Sequence, residues 1–144
     1  VPYGDTYIPA GALWGWSLLS HRSPFADGVD PATTPDVKKF MIVMSDGAST
    51  MYPDTPFHWG DTQPANPRRE GTNLLTDRLC TKAKDEGVII YTVSFDPTGD
   101  ADVLSLMQSC ASTPADAFLA NDADELSGAF QQIGQQIVAL RLTQ

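Results

Sequence analysis

Long apolar runs are missing from this sequence. The longest clean one, residues 40–44, falls far short of the roughly 18 residues that a membrane helix needs. No signal-peptide pattern is present either. Basic residues are few: the net charge is −9, and Lys38-Lys39 and Arg68-Arg69 are the only basic doublets. A nucleic-acid surface needs clustered Lys and Arg, so that function class is excluded, and both doublets are read as solvated flanks. Enzyme signatures are missing as well, with no Gly-x-Ser-x-Gly, no His-Glu-x-x-His and no glycine-rich phosphate loop. Cysteine is limited to Cys80 and Cys110, which form no Cys-x-x-Cys, and no histidine lies at zinc-ligand spacing, so zinc has no site. The two cysteines permit one disulfide or two buried thiols, and both readings stay open at this point.

What is present is a core and an alternating pattern. The 144 residues suit one domain, and 42% of them are hydrophobic, too many for a disordered tail. Acidity on this scale suits a soluble extracytoplasmic protein or a cation-binding one, and solubility alone explains it equally well. The sequence starts Val1-Pro2 with no initiator Met. The expectation is a processed product or an excised piece of a longer polypeptide.

Three strands are legible. Lys39–Ser45 is an unbroken apolar run, as expected of a strand buried on both faces. Val88–Phe95 is β-branched and aromatic, and Ala117–Ala120 is a shorter, weaker strand. Helices are predicted at 10–21, 72–86 and Ala101–Cys110, with a last one from Asp122 onward. Gly87 stands where a left-handed residue closes a helix. Asp100 suits an N-cap, and Asp122 with Glu125 three residues on resembles a capping box. Segments 23–37 and 51–71 read as loops. Trp14 and Trp16 are two apart on a helix and cannot share a face, so one is core and the other is partly exposed or covered by residues that precede Val1.

Helix and strand alternate throughout, which implies an α/β domain with a doubly wound, mostly parallel sheet and helices on both faces. Three strands are fewer than such a sheet normally has. An apolar edge is left unpaired, and something is expected to cover Lys39–Ser45.

In open α/β sheets ligands bind beyond the carboxyl ends of the strands. Asp46, in Ser45-Asp46-Gly47, lies at that edge, where a carboxylate holds a hard cation or caps the following turn. Thr6, in Gly4-Asp5-Thr6, lies in a polar loop ahead of a helix, as a cation ligand or an N-cap. His21 ends a helix, where a cation favours the dipole. Phe57, His58 and Trp59 lie together in the long loop as a candidate partner-contact surface.

Together these residues resemble the von Willebrand factor A (vWA) domain. Gly4-Asp5-Thr6 matches the second loop of that family's metal-ion-dependent adhesion site, and Ser45-Asp46-Gly47 matches the third. The first loop, Asp-x-Ser-x-Ser, does not occur in these residues. The resemblance therefore implies that residues 1–144 are the C-terminal part of a vWA-like domain whose first half precedes Val1. By the same resemblance Thr6 and Asp46 are metal ligands. The ion is Mg²⁺, with Mn²⁺ or Ca²⁺ as substitutes.

The likeness narrows at residues 7–16, Val88–Phe95, 110–112 and 133–144, which look like the C-terminal part of TadG-type pilus-assembly proteins. These are bacterial envelope proteins with an N-terminal membrane anchor that serve tight-adherence (Tad/Flp) pili. The implied function is a non-enzymatic protein-binding and assembly module in the periplasm or cell envelope. Its implied partners are a pilus or envelope protein and the missing first half of the domain. The alternative is a structural scaffold with a degenerate site that binds no metal. A metal-dependent hydrolase needs a general base near Asp46, and only loop residues such as Asp54, His58 and Asp61 offer one.

The resemblance also favours a Cys80–Cys110 disulfide, which an oxidising envelope compartment permits. Closing a loop of about 30 residues is worth roughly 3–4 kcal/mol in the chain-entropy model. On its own, the chain is expected to expose apolar surface along Lys39–Ser45 and to be stable only with the missing half.

Overall fold

Valine, isoleucine and aromatic residues dominate the runs that pair as strands, because branched and flat side chains pack well on a pleated surface. The computed structural model describes residues 6–23, 25–50, 66–95 and 99–142. In it β1 (Lys39–Ser45), β2 (Val88–Phe95) and β3 (Ala117–Ala120) form one sheet in the order β1-β2-β3. All pairing is parallel: Lys39 lies opposite Val88, Ser45 opposite Ser94, and Phe95 opposite Ala120. Four helices alternate with the strands: α1 (Ile8–Leu19), α2 (Asn66–Asp85), α3 (Ala101–Cys110) and α4 (Ala123–Leu142). The architecture is α/β, a three-stranded parallel sheet flanked by helices, compatible with a Rossmann-like fold.

The period-2 alternation of β2 divides the core. Val88 and Ile90 face one side, with Met41 and Val43 of β1, Cys80 and Ala83 of α2, and Val103 and Met107 of α3. Tyr91 and Val93 face the other side, against Ile133 of α4. Cys80 and Cys110 form a disulfide with Cα atoms 5.1 Å apart, and both are fully buried. It ties α2 to the end of α3. Lys84 closes α3 from outside, its Nζ donating to the carbonyls of Ser109 at 2.7 Å and Ala111 at 3.2 Å.

Several sequence expectations meet corrections. α1 begins at Ile8 rather than at residue 10, because Pro9 fits the first turn, where no backbone N–H is needed. Its N-cap is Tyr7, without a side-chain cap, so Thr6 does not serve that role. α1 ends at Leu19, and His21 lies past it, 3.9 Å from Asp30. α2 begins at Asn66, six residues inside the segment read as loop, with Pro67 in its first turn. β1 is not buried on both faces: Met41, Val43 and Ser45 are buried, whereas Ile42 is 41% and Met44 45% exposed.

Other expectations match. Gly87 has φ +80°, two residues past the end of α2 at Asp85. The Asp100 carboxylate accepts from the N–H groups of Asp102 at 3.0 Å and Val103 at 3.3 Å. Asp122 caps α4 at Asp124 and Glu125, while Glu125 reaches one residue further back than a capping box, to the N–H of Asn121 at 2.7 Å. Trp16 packs on the core and donates to Glu86 at 3.0 Å, whereas Trp14 is 56% exposed beside Phe25.

Candidate functional site

The chain turns sharply at the carboxyl end of β1. Ser45 is buried, and its hydroxyl both donates to the Gly47 carbonyl at 2.6 Å and accepts from the Gly47 N–H at 3.3 Å. This closes a small turn with Asp46 at its tip, and Asp46 is exposed to solvent. Beyond the turn, residues 49 and 50 clasp the start of α1. The Thr50 N–H donates to the Thr6 carbonyl at 2.8 Å, and the Thr6 N–H donates to the Thr50 hydroxyl at 2.8 Å. The buried Ser49 hydroxyl accepts from the Ile8 N–H at 3.3 Å, satisfying a helix-start donor that Tyr7 does not cap.

The clasp brings the two sequence-predicted ligands to one place. Thr6 and Asp46 both line a groove of about 730 Å³ that runs along the outer side of β1. Their donors are hard oxygens, which fit Mg²⁺ or Ca²⁺ by chemical type. Two such oxygens are fewer than the six or more ligands that such an ion takes. Among the described residues no group of three or more His, Cys, Asp or Glu is placed to hold a metal. Asp54, Phe57, His58, Trp59 and Asp61 lie outside the described residues.

A second polar arrangement at this edge escaped the sequence reading. Arg69, in the early turns of α2, pairs with Asp100, the N-cap of α3, at 2.5 Å. Arg69 is therefore not a solvated flank, since its side chain is only 18% exposed. Its hydrogen bond to Asp100 is the largest cause holding that carboxyl below the ordinary carboxylate range. The two cap N–H groups add to the effect, and partial desolvation opposes it. The signal available in the sequence was Asp100 as an N-cap, but nothing local pointed to a partner 31 residues away. Between α2 and α3, Arg69 borders a groove of about 560 Å³ whose walls include Glu70, Asp77 and Asp102.

Among the described residues no helix is long and apolar enough to cross a membrane. The disulfide is compatible with an extracytoplasmic location. No family model, no curated protein and no solved structure matches this chain.

Proposed function

We propose that this chain is a non-enzymatic binding and assembly module of the bacterial cell envelope, acting in Tad/Flp pilus biogenesis through a vWA-type metal site. One observation carries the reading: the backbone clasp between Thr6 and Thr50 holds the Thr6 loop against the turn after β1, so that Thr6 and Asp46 border one groove. The Thr6 hydroxyl and the Asp46 carboxylate hold a divalent cation, Mg²⁺ or its substitutes Mn²⁺ and Ca²⁺. A cation with an incomplete protein shell accepts a carboxylate from a protein partner, which is recognition without bond cleavage. The net charge of −9 suits cation binding and does not suit nucleic acid. The family and the envelope setting come from the sequence resemblance.

A second reading is a scaffold that binds no metal. It is favoured by the absence, among the described residues, of any group of three or more His, Cys, Asp or Glu placed to hold a metal. Titration calorimetry with MgCl₂ and MnCl₂ on the polypeptide as its gene encodes it separates the two. Binding heat that disappears in Asp46→Ala and weakens in Thr6→Val supports the metal site. No heat and no thermal shift with either ion leaves the scaffold.

A further inference from the structure

α2 and α3 pack on the same face of the sheet, α2 through Cys80 and Ala83 and α3 through Val103 and Met107. Each connects one strand of a parallel sheet to the next, so both run back from its carboxyl edge and lie parallel to one another. Two links fix the space between them. Near their starts Arg69 bridges to Asp100, and it also lies 3.9 Å from Asp102. At the end of α3 the Cys80–Cys110 disulfide joins them again, and Lys84 reaches the carbonyls of Ser109 and Ala111. The groove of about 560 Å³ lies between these links, lined from Arg69 to Asp77 on α2 and from Asp102 to Ser109 on α3. Its walls are held in place before any partner arrives, which lowers the ordering cost of binding.

The chemistry of the groove comes from the sides that the helices turn away from the sheet. α2 commits Thr72, Thr76 and Cys80 to the interior, where all three are buried. Glu70, Leu74 and Asp77 stand at i, i+4 and i+7 and so share a different face, which lines the groove. Leu74 is 50% exposed there, and Leu106 of α3 is almost fully buried beside the same groove. An apolar contact point thus sits between two carboxylates that are two helical turns apart, roughly 10 Å. Among the described residues no ion pair involves Glu70 or Asp77.

This pattern selects among occupants. A single metal ion does not suit it, since among the described residues no three carboxylates are grouped to hold one. Nucleic acid is repelled, and a second copy of the chain carries the same net charge of −9. A groove between two helices that offers anchors at i, i+4 and i+7 suits an amphipathic helix. We infer that the α2–α3 groove is a docking site for a basic helix of a partner protein. One apolar residue of that helix meets Leu74, and a cationic residue on either side of it meets Glu70 and Asp77. The carboxylates steer the partner in, and contact with Leu74 excludes water from the centre. The groove shares no lining residue with the one that Thr6 and Asp46 border, so the inference is independent of the cation reading.

Fluorescence anisotropy provides the test. The probe is a labelled alanine-based helical peptide with Arg, Leu and Arg at i, i+4 and i+7, titrated at low salt with the polypeptide as its gene encodes it. A peptide with Glu in place of each Arg is the control. The expected result is saturable binding of the basic peptide alone, weakened by added salt. The double substitution Glu70→Gln with Asp77→Asn should weaken binding about fivefold or more. Leu74→Ser should weaken it at unchanged charge. Asp46→Ala should leave it unchanged, which keeps a failure here distinct from a failure of the metal site. Thermal melts check that each variant is folded. Absence of binding overturns the inference, as does equal binding of both peptides. So does binding that the double substitution and Leu74→Ser leave unchanged, or a basic peptide that MgCl₂ displaces at constant ionic strength.

Discussion

The guanidinium of Arg69 meets the carboxylate of Asp100 at 2.5 Å, and that same carboxylate caps α3. One side chain thus joins the beginnings of two helices at the carboxyl edge of the sheet. The sign of its pH dependence follows from the direction of the shift. The folded-state pKa of Asp100 lies below its ordinary value of 3.8. The contribution of the ionised carboxylate is complete above that value and is lost as the pH falls through the depressed one. Asn caps a helix about as well as Asp, so Asp100→Asn should change stability little through the cap itself at pH 7. It should flatten the acid limb of the stability curve below pH 3.8. Asp100→Ala loses the cap as well and should cost about 1 kcal/mol already at pH 7. Urea unfolding at several pH values reads both effects, and an unchanged acid limb in Asp100→Asn would refute the assignment.

The disulfide makes a separate prediction. Cys80 and Cys110 close a loop with a sequence separation of 30 in the cluster that α2, α3 and the sheet share. The double substitution Cys80→Ala with Cys110→Ala should cost about 2–5 kcal/mol. Alkylation should be negligible without a reductant even in the unfolded protein, because both sulfurs are in the disulfide, and burial should slow reduction of that bond while the protein is folded. Mass spectrometry after alkylation, with and without a reductant, checks the pairing. Denaturant titration checks the energy.

How much of this was legible beforehand depends on how local each signal is. β1 and β2 announced themselves through unbroken β-branched or apolar runs, and α3 through Asp100 followed by a helical apolar face. The first turns of α2 did not, because Asn66 and Pro67 look like loop residues unless the proline is recognised as sitting in a first turn, where its missing N–H costs nothing. Asp46 and Thr6 were singled out by position and by resemblance. The clasp that relates them, Thr50 to Thr6 and Ser49 to Ile8, joins residues more than 40 positions apart, and no periodicity reports such a contact. The Arg69–Asp100 pair was hidden for the same reason. The exposed face of β1 was misread in one respect: an apolar run states what a strand is suited to, and the described residues supply a helix for only one of its faces.

Two buried hydroxyls on β2 allow a contrast within one strand. Thr92 and Ser94 are two residues apart and face the same side, with exposures of 0% and 1%. The Thr92 hydroxyl donates to the Met107 carbonyl at 2.9 Å, whereas the Ser94 hydroxyl has no hydrogen-bond partner among the described residues. Thr92→Val keeps the shape and removes the donor, leaving a buried carbonyl with one bond fewer, and should cost about 1–2 kcal/mol. Ser94→Ala removes a hydroxyl whose desolvation no bond offsets, so stability should stay within about 0.5 kcal/mol of the starting value or rise. Denaturant midpoints of the two variants measure the difference. A Ser94→Ala cost as large as that of Thr92→Val would show that the Ser94 hydroxyl has a bonding partner in solution, at the carboxyl end of β2 opposite Ser45.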